Sequence, residues 1–114
     1  MGLFRRTPPA APADEDHAVL VHFALSDDEF GSDAERATLG DLGDRLADVV
    51  ARAGVGLFDG DEFGNGEAVL YLYGPDHEFL WQAVEPEVRA CTVRPTFALI
   101  RPGGPDTPAR RVDL

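Results

Sequence analysis

The sequence predicts an α+β fold whose elements run in the order β-α-β-β-α-β. Three observations carry this expectation. Residues 17–25 place apolar side chains on both faces of an alternating run, as a central strand does. Ser32-x-x-Glu35 is a capping box that opens a stretch with apolar residues every three or four positions. Gly64-Asn65-Gly66 then separates two further strand-like runs, and Asn-Gly is a strong signal for a two-residue hairpin turn.

Residues 1–16 are rich in Pro and Ala, with mixed charge and no periodicity, the composition of a disordered tail. In the first strand Val19, Val21, Phe23 and Leu25 share one face, and Ala18, Leu20, His22 and Ala24 the other. The first helix buries Leu39, Leu42, Leu46, Val49, Val50 and Ala53. It pairs Asp41 with Arg45 and Asp48 with Arg52 on its wet side, and stops at Gly54. Gly40 and Gly43 weaken it and suggest a close approach to the sheet.

Residues 55–62 and 67–73 make the hairpin strands. A second helix begins at Pro75-Asp76, with Phe79, Leu80, Ala83, Val84, Val88 and Cys91 as its buried stripe; Pro86 is expected to kink or interrupt it. Residues 94–101 form the last full strand, and Pro102-Gly103-Gly104-Pro105 closes the compact unit. Two split crossovers of this kind predict a ferredoxin-like sandwich: a four-stranded antiparallel sheet with both helices on one face. The expected organisation is a tail at 1–16, one domain at 17–102 and an extension at 103–114 that either adds a short fifth strand or stays loose.

A chain of 114 residues holds one domain, and one of this size folds without a disulfide or a structural metal. The single cysteine, Cys91, excludes an intrachain disulfide and fits a reducing compartment. No run approaches a bilayer-spanning length, and Pro8, Pro9 and Pro12 stand where a secretion signal needs an apolar core. A cytoplasmic protein is expected, with no membrane partner.

The net charge is −11, with no lysine; residues 17–101 carry 16 Asp and Glu against six Arg. Such a field repels phosphate backbones, so nucleic acid is not an expected partner. Basic proteins and cations remain admissible.

An acidic run occurs twice, as Asp27-Asp28-Glu29-Phe30-Gly31 and as Asp59-Gly60-Asp61-Glu62-Phe63-Gly64. Asp59, Asp61, Glu62 and Glu67 have the oxygen ligands a hard cation needs. They do not fit a calcium-binding helix–loop–helix pattern, since Phe63 and Leu70 occupy ligand positions. Two plainer readings stand beside a cation site: a solvated turn whose acids guard a strand edge, and a surface for a basic protein.

The open face of the sheet is the other candidate. Leu20 and His22, with Val69, Tyr71 and Tyr73, are expected to point away from the helices. Aromatic residues on two central strands stack bases in RNA-binding domains, but here no basic rim accompanies them. A second copy of the chain, a terminal segment or a small ligand is the expected occupant. Trp81 is expected either as an interface anchor or packed over Val84 and Val88. No acid, serine or cysteine stands near His22 at a catalytic spacing, and Cys91 reads as a small hydrophobe.

Residues 59–63, Asp-Gly-Asp-Glu-Phe, resemble the Gly-Gly-Asp-Glu-Phe signature of diguanylate cyclases, which lies in a hairpin of a ferredoxin-like palm. The resemblance implies metal binding by the signature's acids, with Asp27 or Asp28 nearest a second metal position. This chain departs from the pattern: Asp59 replaces the first glycine, Leu57-Phe58 supplies no arginine, and the first crossover is too short.

The runs 25–32, 58–68 and 70–76 resemble a family of small acidic bacterial proteins with no assigned activity. That similarity covers most of residues 19–91 and implies no functional residue. Gly56-Leu57-Phe58-Asp59-Gly60-Asp61-Glu62 is also similar to ferredoxin-like inhibitors of ribonuclease E, which implies an acidic regulator of another protein.

The expectation is therefore an interaction or regulatory module without cofactor or catalytic residues. It binds through Asp27, Asp28, Glu29, Asp59, Asp61 and Glu62, with His22, Tyr71, Tyr73 and Trp81 as further contact candidates. The alternatives are a metal-dependent phosphoryl-transfer enzyme of degenerate palm type and a small-ligand domain using the open face.

Overall fold

A computed structural model describes residues 16–114. The tail expected at 1–16 therefore lies, apart from Asp16, outside the described residues. The chain forms β1 (His17–Ala24), α1 (Asp33–Ala53), β2 (Leu57–Gly64), β3 (Glu67–Gly74), α2 (His77–Arg89), β4 (Pro95–Arg101) and β5 (Arg110–Asp113). It is an α+β molecule whose two helices pack on a five-stranded antiparallel sheet of order β2-β3-β1-β4-β5. This arrangement is compatible with a ferredoxin-like sandwich.

The capping box forms: Ser32 Oγ accepts from the Glu35 N–H, and the Glu35 carboxylate accepts from the Ser32 N–H. Gly54 ends α1 in the left-handed region, as a C-terminal stop requires. Asn65 and Gly66 both have positive φ, 54° and 76°, matching a two-residue turn whose twist suits the flanking strands.

Inward residues of the sheet (Val19, Val21, Phe23, Leu70, Leu72 and Ile100) meet Leu39, Leu42, Leu46 and Val50 of α1 and Leu80, Val84 and Val88 of α2 in one core. Each fully buried Leu or Val contributes about 1.5–3 kcal/mol relative to exposure.

Three details depart from the sequence expectations. Phe79 is 61% exposed, because the buried stripe of α2 is Leu80, Val84 and Val88, and Phe79 is turned about 100° away from it. Pro86 does not interrupt α2, which continues to Arg89; the turn there is solvent-exposed, so water can satisfy the carbonyl that Pro86 leaves without a donor. Gly40 marks no close approach, since a Cβ there would meet nothing within 4 Å; Gly43 is the buried glycine of the helix. Of the two outcomes expected for the C-terminal extension, the short fifth strand is the one that forms: residues 110–113 join the sheet, placing Val112 and Leu114 against the core.

Candidate functional site

The two acidic runs are brought together by backbone bonds rather than by charge. The Leu25 N–H donates to the Gly66 carbonyl at 2.9 Å, and the Gly66 N–H donates to the Glu29 carbonyl at 2.9 Å. The β1–α1 loop thus lies on the β2–β3 turn. Contact is so close that a Cβ on Gly66 would come within 2.8 Å of the Asp27 carbonyl oxygen.

Within that loop Asp27 works on its own backbone. Its Oδ1 accepts from the N–H groups of Glu29 (3.0 Å) and Gly31 (2.8 Å), and these bonds hold its carboxyl below the ordinary aspartate range. Glu35 closes the other end, accepting from the Ser32 N–H (2.8 Å), the Ser26 hydroxyl (2.7 Å) and the Ser26 N–H (3.0 Å). The Ser32 backbone bond comes first among the causes that hold its carboxyl low. Arg36 donates to the Gly31 carbonyl at 2.6 Å and also pairs with Asp33. The outcome is a pinned loop that leaves Asp28, Glu29 and Phe30 in solvent, Phe30 being 41% exposed.

The second run behaves differently. Asp59 and Asp61 are 4% and 5% exposed, so they are not the solvated acids of an open turn. The reason lies in the strand. β2 pairs with β3 through Phe58↔Leu72 and then Asp61↔Leu70, so one extra residue is accommodated around Gly60, whose φ is 91°. That bulge puts Asp61 on the face of Leu70, toward the helices, while Asp59 lies within the slip beside the position of Tyr71. Glu62 and Glu67 are half-buried. Among the described residues no three His, Cys, Asp or Glu side chains converge as metal ligands.

On the open face the register places Leu20, His22, Val69, Tyr71, Tyr73, Phe97 and Leu99 outward, most of them half-buried. His22 does have an acid beside it, which its own neighbours in sequence do not reveal. Glu67 arrives from β3, its Oε2 2.9 Å from His22 Nδ1. The imidazole stacks on Phe97 at 4.2 Å between centroids, and its Nε2 is buried without a hydrogen-bond partner among the described residues. Arg111 lies over the Phe97 ring at 3.9 Å and bonds Asp113 at 2.7 Å. Trp81 is half-buried and packs against the core rather than standing clear of it.

An open cleft of about 450 Å³ lies where β1 ends, α1 begins and the chain enters β4, lined by Ala24, Leu25, Glu35, Val93 and Arg94 among others. A smaller hollow of about 210 Å³ shares Thr38 and Thr92 with it and includes Cys91. Neither is on the open sheet face.

Sequence reasoning missed the pair His17 and His77. The His77 N–H donates to His17 Nδ1 at 3.0 Å, supplying an acceptor at the start of α2 beside the Asp76 cap. The chain matches no protein-family model, no curated protein and no solved structure.

Proposed function

We propose that this chain is a non-enzymatic interaction module of the cytoplasm that offers a fixed acidic knob to a basic protein surface. The observation that carries the reading is Phe30, a large apolar side chain in solvent on a loop with Asp28 and Glu29 beside it. Aromatic side chains, Phe included, are enriched at protein interfaces, where an apolar centre is ringed by a polar rim. The loop costs little to order on binding, because the Asp27, Glu35, Arg36 and Gly66 bonds already hold it.

We take the chain order and the sheet order together as a ferredoxin-like βαββαβ sandwich, β4-β1-β3-β2, extended at one border by β5. In that reading both acidic runs sit at the same end of the sheet. The contact set is Asp28, Glu29 and Phe30; Asp27 holds the loop, and Asp59 and Asp61 act within the fold.

Geometry lends the phosphoryl-transfer alternative no support. Asp59 and Asp61 are buried on β2 with the bulge between them, so the signature's acids do not open together toward a nucleotide. The remaining candidate for proton transfer, His22 Nε2, is buried as well.

The test is capture of binding proteins by the immobilised chain at low salt and again near 0.3 M, where the screening length falls below 10 Å. Comparison variants are Phe30→Ser and the pair Asp28→Lys, Glu29→Lys. Specific capture that salt weakens, and that each variant reduces at least tenfold while circular dichroism is unchanged, supports the knob. Equal capture by all three proteins removes it.

A further inference from the structure

We propose that the open face of the sheet is the contact surface of a homodimer, and that its charge pattern fixes how the two copies meet. This rests on a different surface from the acidic knob and stands or falls separately.

The five strands run β2-β3-β1-β4-β5, so β1 is the middle of the sheet. Outward side chains along the centre are apolar or aromatic: Leu20, Val69, Tyr73, Phe97 and Leu99. The two borders carry opposite signs. On the β2 side stand Glu62, half-buried, and Glu67, held by His22. On the β5 side stand Arg101 and Arg111, with Asp113 bonded to Arg111 at 2.7 Å, so that border is positive only in net charge. The Arg111 guanidinium leans over Phe97, into the transverse row Glu62–Val69–His22–Phe97–Asp113 that the registers define.

Two face-to-face copies can be related by a two-fold axis lying between the sheets. An axis across the strands sets β2 over β2 and β5 over β5, bringing like charges together. An axis along the strands sets β2 over the other copy's β5, because the middle strand lies on the axis. Glu62 of each copy then meets the other's border where Arg101, Arg111 and the Arg111-bound Asp113 stand, twice per dimer. The charges select the second arrangement.

Size sets the strength. Five strands about 4.8 Å apart and seven residues long at about 3.3 Å each present on the order of 500 Å². Two copies would bury about 1,000 Å², the lower limit of a specific interface. The dimer should therefore be weak, with a dissociation constant in the micromolar range. Each copy also carries −11, so long-range repulsion opposes the meeting until salt screens it. Dimerisation consequently strengthens as salt rises from about 20 to 200 mM, opposite to the salt response of binding between the acidic knob and a basic partner.

Sedimentation velocity of the full chain from about 5 to 500 µM tests this, with Arg111→Glu, Glu62→Arg and the double exchange. The expected result is dimerisation that each single substitution weakens about tenfold and the double exchange restores. A wild-type chain that stays monomeric at 500 µM overturns the proposal. In that case Tyr73 and Phe97 side chains shielded from a soluble paramagnetic probe would assign cover to a segment of the same chain, and side chains open to it would leave the face to a different protein. A dimer indifferent to both single substitutions, or not restored by the double one, overturns it too.

Discussion

Replacing Gly66 by alanine tests whether the hairpin turn is what holds the acidic loop. Three costs combine at that position. The backbone has φ of 76°, where a Cβ is disfavoured by about 1 kcal/mol. The new methyl would lie 2.8 Å from the Asp27 carbonyl oxygen, a backbone atom that cannot rotate aside, so turn and loop must separate. Separation lengthens the bonds from Leu25 to Gly66 and from Gly66 to Glu29, each contributing about 1 kcal/mol net. The expected loss is about 2–4 kcal/mol in urea denaturation, with faster amide exchange at Leu25 and Gly66. Gly40→Ala is the matched control: a helix-interior glycine with open space around its Cβ position, where alanine should stabilise by about 0.5–1 kcal/mol. If Gly66→Ala costs less than about 1 kcal/mol, the loop is not anchored on the turn, and the pre-ordered knob loses its basis.

Other expectations follow from the same geometry. Asp27 and Glu35 have carboxyl pKa values below the ordinary ranges near 3.9 and 4.3. The stability they add is present above the unfolded-state values and lost as pH falls through the lower folded values. Thermal melts from pH 5 to pH 2 should therefore fall less steeply for Asp27→Asn with Glu35→Gln than for the parent. Leu46→Ala, at a fully buried site, should cost about 2–5 kcal/mol in chemical denaturation. His17→Ala removes the acceptor for the His77 N–H and should cost about 1 kcal/mol, read as a lower unfolding midpoint. Arg45→Ala breaks an exposed pair with Glu87 that joins α1 to α2, and should change stability by less than about 1 kcal/mol in the same assay.

Much of the fold was legible because its signals are local. The Ser32–Glu35 box, the Asn65-Gly66 turn and the alternation through Leu70-Tyr71-Leu72 each specify structure within a few residues. What stayed hidden depends on partners distant in sequence. Glu67 reaches His22 only through the β1–β3 register, and a bulge leaves no periodic trace, so the burial of Asp59 and Asp61 could not be read from composition. Phe79 and Leu80 are adjacent and equally apolar, and only the angle of α2 on the sheet decides which is inside. Asp27 illustrates the opposite confusion: an acid that looked like a ligand for a partner is occupied in shaping its own turn.

The slip in β2 has a consequence beyond the acids it buries. An uncovered sheet margin is an invitation for a neighbouring molecule to dock a strand and begin a fibre. Here one margin is kinked by an inserted residue at Gly60, and the other is a strand of only four residues. Neither offers the long flat template that ribbon growth needs, so crowding this protein should yield discrete particles in preference to filaments.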